Sequence, residues 1–182
     1  MTDPPISDLT GAEARAILQR LWDEGGSIRD TIRREVDILL SDVVPDHVAD
    51  AVLADLDGLT VEELWERSGR TASGYIHPTE ASGELLREAL TPYVRELDRY
   101  TRLGRRDEAL LYCAGVLEGI YAFGTESSTE FLEWAPDDSR EAFRWVLDGW
   151  KRRESSRVLR GRMGELLREK CSAWMAEDLQ AG

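Results

Sequence analysis

The chain has 182 residues, enough for one domain with a hydrophobic core or for several helical hairpins that share one. Hydrophobic residues make up 42% of it and charged residues 32%, with only six prolines, a composition that excludes a largely disordered protein. The formal net charge of −13 disfavours nucleic acid as a partner for most of the chain, because nucleic-acid affinity depends mainly on Lys and Arg neutralising phosphates.

The N-terminal residues and the lengths of the apolar stretches indicate in which cellular compartment the protein is expected. Residues 1–5 contain two prolines and no basic residue, so they do not match the start of a signal peptide. The longest apolar stretches are a few residues long, whereas about 20 residues are needed to cross a bilayer. We therefore expect a cytoplasmic protein with no membrane span. Cys113 and Cys171 fall on apolar helix faces and are expected to be buried thiols, with a disulfide or reactive pair as the alternative.

The charge is unevenly distributed along the chain. Residues 1–150 carry 15 basic and 31 acidic side chains, whereas residues 151–170, the basic segment, carry eight basic and three acidic ones. Nucleic acid is therefore disfavoured for the acidic body but not excluded for the basic segment. Arginine occurs 21 times and lysine twice, which fits either GC-rich coding or adaptation to salt.

Helix-start and helix-stop patterns recur in the first 68 residues. Thr10 with Glu13, and Thr60 with Glu63, have the spacing of capping boxes. Four helices are predicted here, because apolar residues recur at helical spacing. Their apolar residues are Ile17, Leu18, Leu21 and Trp22; Ile28, Ile32, Val36 and Leu39; Val48, Val52, Leu53 and Leu56; and Leu64 and Trp65.

Further helices are predicted after residue 78. Pro92 lies inside the first of them and is expected to kink or divide it. No segment alternates with the period of two residues that a strand requires. The predicted inward residues are Leu86, Leu90, Tyr93, Leu97 and Tyr100; Ala109, Cys113, Val116, Ile120 and Phe123; Phe143, Val146, Leu147 and Trp150; and Leu159, Met163, Leu166, Lys170 and Trp174.

One helical pair has a recognisable local pattern. Residues 103–112 read LGRRDEALLY, and Tyr93 and Tyr100 precede them on the first helix. This pattern resembles a single tetratricopeptide-type hairpin, in which a turn glycine is followed by an acidic pair and then by alanine and leucine. The resemblance covers residues 93–123 and implies close packing of two helices. No second copy follows at a period of about 34 residues, so an array of repeats is not implied.

Residues 28–37, IRDTIRREVD, carry a fainter resemblance together with that hairpin. Over residues 27–123 the chain is similar to the helical domain that follows the zinc finger in SWIM-type proteins. The cysteine and histidine ligands of that family are absent, so the resemblance implies a shared helical scaffold only. His47 and His77 are the only histidines and lack a metal-like spacing, so we predict no zinc site and no cofactor.

These patterns predict an all-α fold of eight or nine helices and no sheet. The helices are expected to form antiparallel hairpins, either tetratricopeptide-like or as an irregular bundle. The predicted segments are a flexible N terminus at 1–10, an N-terminal sub-bundle at 11–68, a loop at 69–78, and helical hairpins with a long terminal helix at 79–179. All of them are expected to share one continuous core.

Three tryptophans lie close together near the end of the acidic body. Trp150 fits the inward face of its helix, whereas Trp145 is out of phase with that face because successive helical residues are about 100° apart. Either a neighbouring helix covers Trp145, or it lines a partner-binding groove rimmed by arginines, since Trp and Arg are enriched at interaction hot spots. The predicted partner-binding residues are Trp145, Arg144, Trp134, Arg152 and Arg153.

The 69–78 loop is a second candidate site, because loops on rigid scaffolds often carry binding residues. Its candidate residues are Arg70, Thr71, Ser73, Tyr75 and His77. The alternative is a purely structural connection. No lysine follows the glycines and no strand precedes them, so a P-loop is not supported. For His47, a solvated or capping role is expected rather than catalysis.

The leading functional prediction is a non-catalytic helical scaffold that binds a protein or peptide, or that self-associates through its terminal helix. The alternative is a nucleic-acid-associated accessory factor that uses the basic segment 151–170, although this segment could equally offset the acidic body through salt bridges. A third reading is a small-molecule enzyme that uses the 69–78 loop. We predict no enzyme activity, because no nucleophile–base pair, metal cluster or nucleotide motif is present.

Overall fold

A computed structural model describes residues 6–71 and 74–175 of the chain. A 3₁₀ turn at Ile6–Asp8 precedes the first helix. The helices are α1 (Gly11–Glu24), α2 (Gly26–Ser41), α3 (Pro45–Asp57), α4 (Val61–Arg67), α5 (Pro78–Arg102), α6 (Arg106–Glu126), α7 (Glu130–Trp134), α8 (Asp138–Arg153) and α9 (Arg157–Lys170); the strands are β1 (Gly69–Thr71) and β2 (Gly74–Ile76).

The predicted all-α class is confirmed. Within the described residues, nine α-helices account for nearly all the regular structure. The expectation of no sheet needs one correction, because β1 and β2 pair antiparallel, with Arg70 opposite Tyr75. A hairpin of two three-residue strands does not alternate long enough to leave a period-two pattern in the sequence. Across the described residues, no helix is both long and apolar enough to cross a membrane.

The chain divides into two compact units, residues 1–42 and 43–182. The first unit contains α1 and α2, and the second contains the other helices and the β-hairpin. The segment 69–78, which the sequence predicts as a loop between two sub-bundles, lies inside the second unit. Within that unit α3 and α4 pack against α5.

The first unit is a helical hairpin with a one-residue turn. Gly25 connects the helices with a φ of +76°, a conformation that residues with a Cβ rarely adopt. The predicted capping box at Thr10 and Glu13 is present at the start of α1. The second helix begins at Gly26, and Ser27 is not its cap. Among the described residues of this unit only Leu40 is buried, although both helices are amphipathic.

Helix α6 is the centre of the second unit. It packs against α3, α5, α8 and α9, and all five of its predicted inward residues are buried. Its closest approach is to α3, because a Cβ on Gly119 would lie 2.6 Å from the Ala49 carbonyl oxygen and one on Gly115 would lie 2.4 Å from that of Pro45. These two glycines allow the backbones to approach as closely as they do.

Helix α5 runs without interruption through Pro92, so of the two predicted outcomes, a kink or a division, the division does not occur. Proline inside a helix removes one backbone hydrogen bond and costs about 3 kcal/mol. Burial along the whole helix offsets that cost, since Leu85, Leu86, Leu90 and Leu97 are all buried. The sequence shows the local penalty of Pro92 but not the packing that outweighs it.

Helix α9 and the residues after it are covered by their own chain. The Trp174 ring packs edge-to-face on Tyr121 and Phe143, with centroid distances of 5.1 and 5.3 Å. Leu167 and Cys171 are buried, whereas the predicted inward residue Lys170 is exposed. Most of the apolar stripe of α9 is therefore buried within the second unit. Residues 176–179 of the predicted terminal segment lie outside the described residues.

Candidate protein-binding surface

The structure places Trp145 between α5 and α8, half-buried, and Arg144 exposed beside it. A pocket of about 60 Å³ lies at the Trp145 ring, and Arg152 and Arg153 are among its lining residues. Val94 and Leu97 of α5 form the opposite wall. Such a volume holds a small side chain rather than a helix, since ligand pockets are typically about 300–1,000 Å³. A neighbouring helix therefore covers part of Trp145, and the remaining space is narrow.

Trp134 is not among the residues that line this pocket. Its ring packs edge-to-face against Trp65 of α4, with the ring centroids 5.0 Å apart and the planes at 76°. Trp65 is 47% exposed and Trp134 is 45% exposed. Trp65 and Trp134 are distant in sequence but together form one exposed aromatic surface, which we call the tryptophan pair. From the sequence Trp65 is predicted only as an apolar residue of its helix, because its contact with Trp134 links two distant segments of the chain.

The tryptophan pair is held by buried anchors on its two short helices. Leu64 and Phe131 lie in the core and fix α4 and α7 respectively. The capping box of Thr60 and Glu63 is present and closes the start of α4, as predicted. The two indole rings therefore project from helices whose backbones are held in place by buried side chains.

Acidic residues flank the tryptophan pair. Glu62 lies three residues before Trp65, and Glu130 lies four residues before Trp134, so each shares a helical face with its tryptophan. Both glutamates are exposed, as are Glu66 and Glu133 on the same helices. The surface around these two tryptophans is therefore acidic, whereas the groove predicted at Trp145 is rimmed by arginines.

The predicted 69–78 loop forms the β-hairpin and the start of α5. Arg70 and Tyr75 are paired residues of the β-hairpin, and Tyr75 is exposed. His77 is the N-cap of α5, where its Nδ1 accepts a hydrogen bond from the Thr79 amide at 3.4 Å. Thr71 contributes the end of β1, and Ser73 lies outside the described residues.

The basic segment is tied to the acidic body by several of its side chains. Arg153 contacts Asp98 at 3.1 Å, and Arg162 pairs with Asp107. Lys170 lies 3.0 Å from both Asp46 and Glu118. Arg160 donates to backbone carbonyls at the α8–α9 connection. These contacts use the positive charge internally and so favour the charge-offsetting interpretation of this segment.

Glu154 organises the α8–α9 connection. Its buried carboxylate accepts two hydrogen bonds from the Arg106 guanidinium, one of them 3.0 Å from Nε to Oε2, and a third from the Ser156 amide at 2.6 Å. The hydrogen bond from Arg106 lowers the pKa of Glu154, although burial opposes the shift. A cavity of about 260 Å³ lies beside this ion pair, lined in part by Trp150 and Ala109.

Other polar and nucleophilic groups are buried in structural roles. Asp138 contacts the Ser82 hydroxyl between α8 and α5, and burial raises the pKa of this carboxyl. Cys113 and Cys171 are free and buried, as predicted. Burial raises the pKa of both thiols, that of Cys171 to about 12, so little thiolate is present at neutral pH. Among the described residues, no group of three or more His, Cys, Asp and Glu side chains is arranged to hold a metal ion.

Comparison with known proteins returned no matching family model, no matching curated protein and no matching solved structure.

Proposed function

We propose that this chain is a non-catalytic helical scaffold that binds another protein, with the tryptophan pair at the centre of the binding surface. This proposal rests on the edge-to-face contact between Trp65 and Trp134, each of which is nearly half exposed. Because a tryptophan presents about 150–250 Å², the pair leaves roughly 200 Å² of ring surface open. Tryptophan is the residue most enriched at binding hot spots.

The chemistry around the rings favours a basic segment as the partner. Glu62 and Glu130 lie on the helical faces of the two tryptophans and supply negative charge at the rim. An arginine or lysine of a partner can stack on an indole face and also pair with these carboxylates. The net charge of −13 attracts a basic partner at long range and repels an acidic one.

The scaffold is pre-organised for this contact. Leu64 and Phe131 hold the two short helices in the core, so the rings lose little freedom when a partner binds. We further propose that α5 and α6 pack as the tetratricopeptide-like hairpin predicted from the sequence. Gly104 at the turn has a φ of +73°, and Ala109 is buried, both of which support this packing. The similarity to SWIM-type helical domains stays a prediction.

A peptide-library selection on the full chain tests the binding proposal. Random peptides are selected on the wild-type protein and counter-selected on the Trp65→Ala/Trp134→Ala double variant. The surviving peptides should be rich in arginine or lysine. Each single tryptophan variant should weaken their binding by about 30-fold or more, the effect of losing a hot spot worth about 2 kcal/mol. Fluorescence anisotropy with a labelled peptide gives the affinities.

Tyr75→Ala is the matched control, because it removes another exposed aromatic of the same unit and should leave the affinity unchanged. Circular dichroism of each variant checks that it is folded. A selection in which the counter-selection on the double variant removes every enriched peptide would exclude the tryptophan pair as the binding surface.

A further inference from the structure

The cavity beside the Arg106–Glu154 ion pair lies where the α5–α6 turn meets the α8–α9 connection. Its volume of about 260 Å³ corresponds to roughly nine waters at about 30 Å³ each, which is space for a small metabolite. Ala109 and Trp150 are buried and border its inner side. The side chains of Arg106 and Arg153, which also line it, are about half exposed. The cavity is therefore accessible from solvent past two guanidinium groups.

The main hydrogen-bond acceptors at this cavity are already occupied. The Glu154 carboxylate accepts two hydrogen bonds from Arg106 and one from the Ser156 amide. Three of the last carbonyl groups of α8 also accept hydrogen bonds from within the chain, those of Gly149, Trp150 and Lys151. A ligand that mainly donates hydrogen bonds would therefore find few partners here.

Hydrogen-bond donors at the cavity, by contrast, are available. Trp150 is only 3% exposed, yet its indole N–H donates to no described residue, whereas buried indole N–H groups usually have a partner. This N–H is not sealed in the core, and the cavity is open space that Trp150 borders. The N terminus of α6, at Arg106, has no side-chain cap in the described structure, so the first amides of the helix lack an intrahelical partner.

The charge around the cavity differs from that of the chain as a whole. All of its lining residues lie within residues 96–109, which contain four basic and four acidic residues, and residues 150–170, which contain eight basic and three acidic ones. Together these two stretches carry a balance of +5, whereas the whole chain carries −13. Such a local excess of positive charge attracts small anions and raises their concentration at the site.

We propose that this cavity binds a small organic phosphate monoester. The phosphate group lies at the guanidinium groups of Arg106 and Arg153 and at the N terminus of α6, and the organic group lies against Trp150. A guanidinium has five N–H donors, so each arginine keeps donors for a ligand while it holds its own carboxylate partner. Arginine and helix N termini both suit phosphate, whose three acceptor oxygens match these donors better than the two of a carboxylate.

The cavity shares no lining residue with the tryptophan pair, so the proposal does not rest on the proposed function. Isothermal titration calorimetry of the full chain with phenyl phosphate tests it. The wild type should bind this ester with a Kd of about 1 mM or lower. Benzoate, which has the same ring but a carboxylate, and inorganic phosphate, which lacks the ring, should each bind at least about 10-fold more weakly. The affinity for phenyl phosphate should fall as salt is added.

Two variants locate the site. Arg153→Gln should weaken phenyl phosphate binding by about 10-fold or more, because it removes a charge-assisted hydrogen bond. Ser155→Asp should weaken it by at least as much, because it places a negative charge at the exposed edge of the cavity. Arg168→Gln is the matched control, since it removes the same charge from the basic segment at a residue that does not line the cavity. This control should bind as wild type does.

Thermal unfolding checks that each variant is folded. Ser155 is exposed and makes no hydrogen bond to a described residue, so Ser155→Asp keeps the test decisive even if Arg153→Gln is destabilised. A wild type that does not bind phenyl phosphate at about 10 mM, benzoate that binds as tightly as the ester, or a Ser155→Asp variant that binds as tightly as Arg168→Gln would each overturn the proposal.

Discussion

The two units of this chain contain amphipathic helices of similar character but differ in what covers them. In the second unit α6 is surrounded by four helices, and its inward residues are buried. The first unit has only two α-helices, α1 and α2, which pack on each other, and Leu40 is the one buried residue among its described residues. Amphipathicity therefore predicts which face of a helix favours burial. It does not predict how many helices pack on that face.

The largest expected effect comes from removing a core ring of the second unit. Phe123 is fully buried in α6, so Phe123→Ala should lower the free energy of unfolding by about 3–5 kcal/mol. Ile38→Ala in the first unit should change it by only about 0.5 kcal/mol, because Ile38 is mostly exposed. Urea denaturation followed by tryptophan fluorescence measures both values. Equal losses of unfolding free energy would mean that Ile38 is packed as tightly as Phe123.

A smaller effect should follow at the closest approach of two helices. Gly119→Ala places a Cβ 2.7 Å from that of Val52 and should cost about 1–3 kcal/mol by overpacking. Gly161→Ala is the matched control in α9, because no atom lies within 4 Å of the added Cβ. It should instead stabilise the protein by up to about 1 kcal/mol through helix propensity. Thermal unfolding of both variants gives the comparison, and a neutral Gly119→Ala would contradict the close packing of α6 on α3.

The smallest expected effect concerns ion pairs and depends on pH. Because Arg106 lowers the pKa of Glu154 in the folded protein, the stabilisation is complete above the unfolded carboxyl pKa of about 4.3. This stabilisation is lost as the pH falls through the lowered pKa of Glu154 in the folded protein. Glu154→Gln should therefore reduce the urea midpoint at pH 7, by less than Gly119→Ala does, and the difference from wild type should shrink towards pH 3.

Asp30→Asn is the counterpart in the first unit, where Asp30 and Arg33 form an exposed pair at 3.5 Å. It should leave the midpoint nearly unchanged at both pH values, because exposed pairs contribute little. If the Glu154→Gln difference were the same at pH 7 and pH 3, the Arg106 ion pair would not be the cause of its stabilisation.

Local patterns allowed much of the second unit to be predicted. The inward faces of α6 and α8 and both capping boxes follow from residues within one or two turns of each other. The continuity of α5 through Pro92 did not follow, because it depends on burial against other helices. The pairing of Trp134 with Trp65 could not be predicted either, since 69 positions separate the two residues in the sequence.

By itself, the sequence determined the all-α class, the two capping boxes and the inward faces of α6 and α8. These properties depend on hydrophobic spacing and capping, which act between near neighbours in the chain. Only the tertiary structure decided which faces meet. It buried most of the apolar stripe of α9 within the second unit and set α3 against Gly115 and Gly119 of α6. Which faces pack together depends on contacts between distant segments of the chain. Such contacts are decided by the volumes of the packed side chains rather than by local spacing in the sequence.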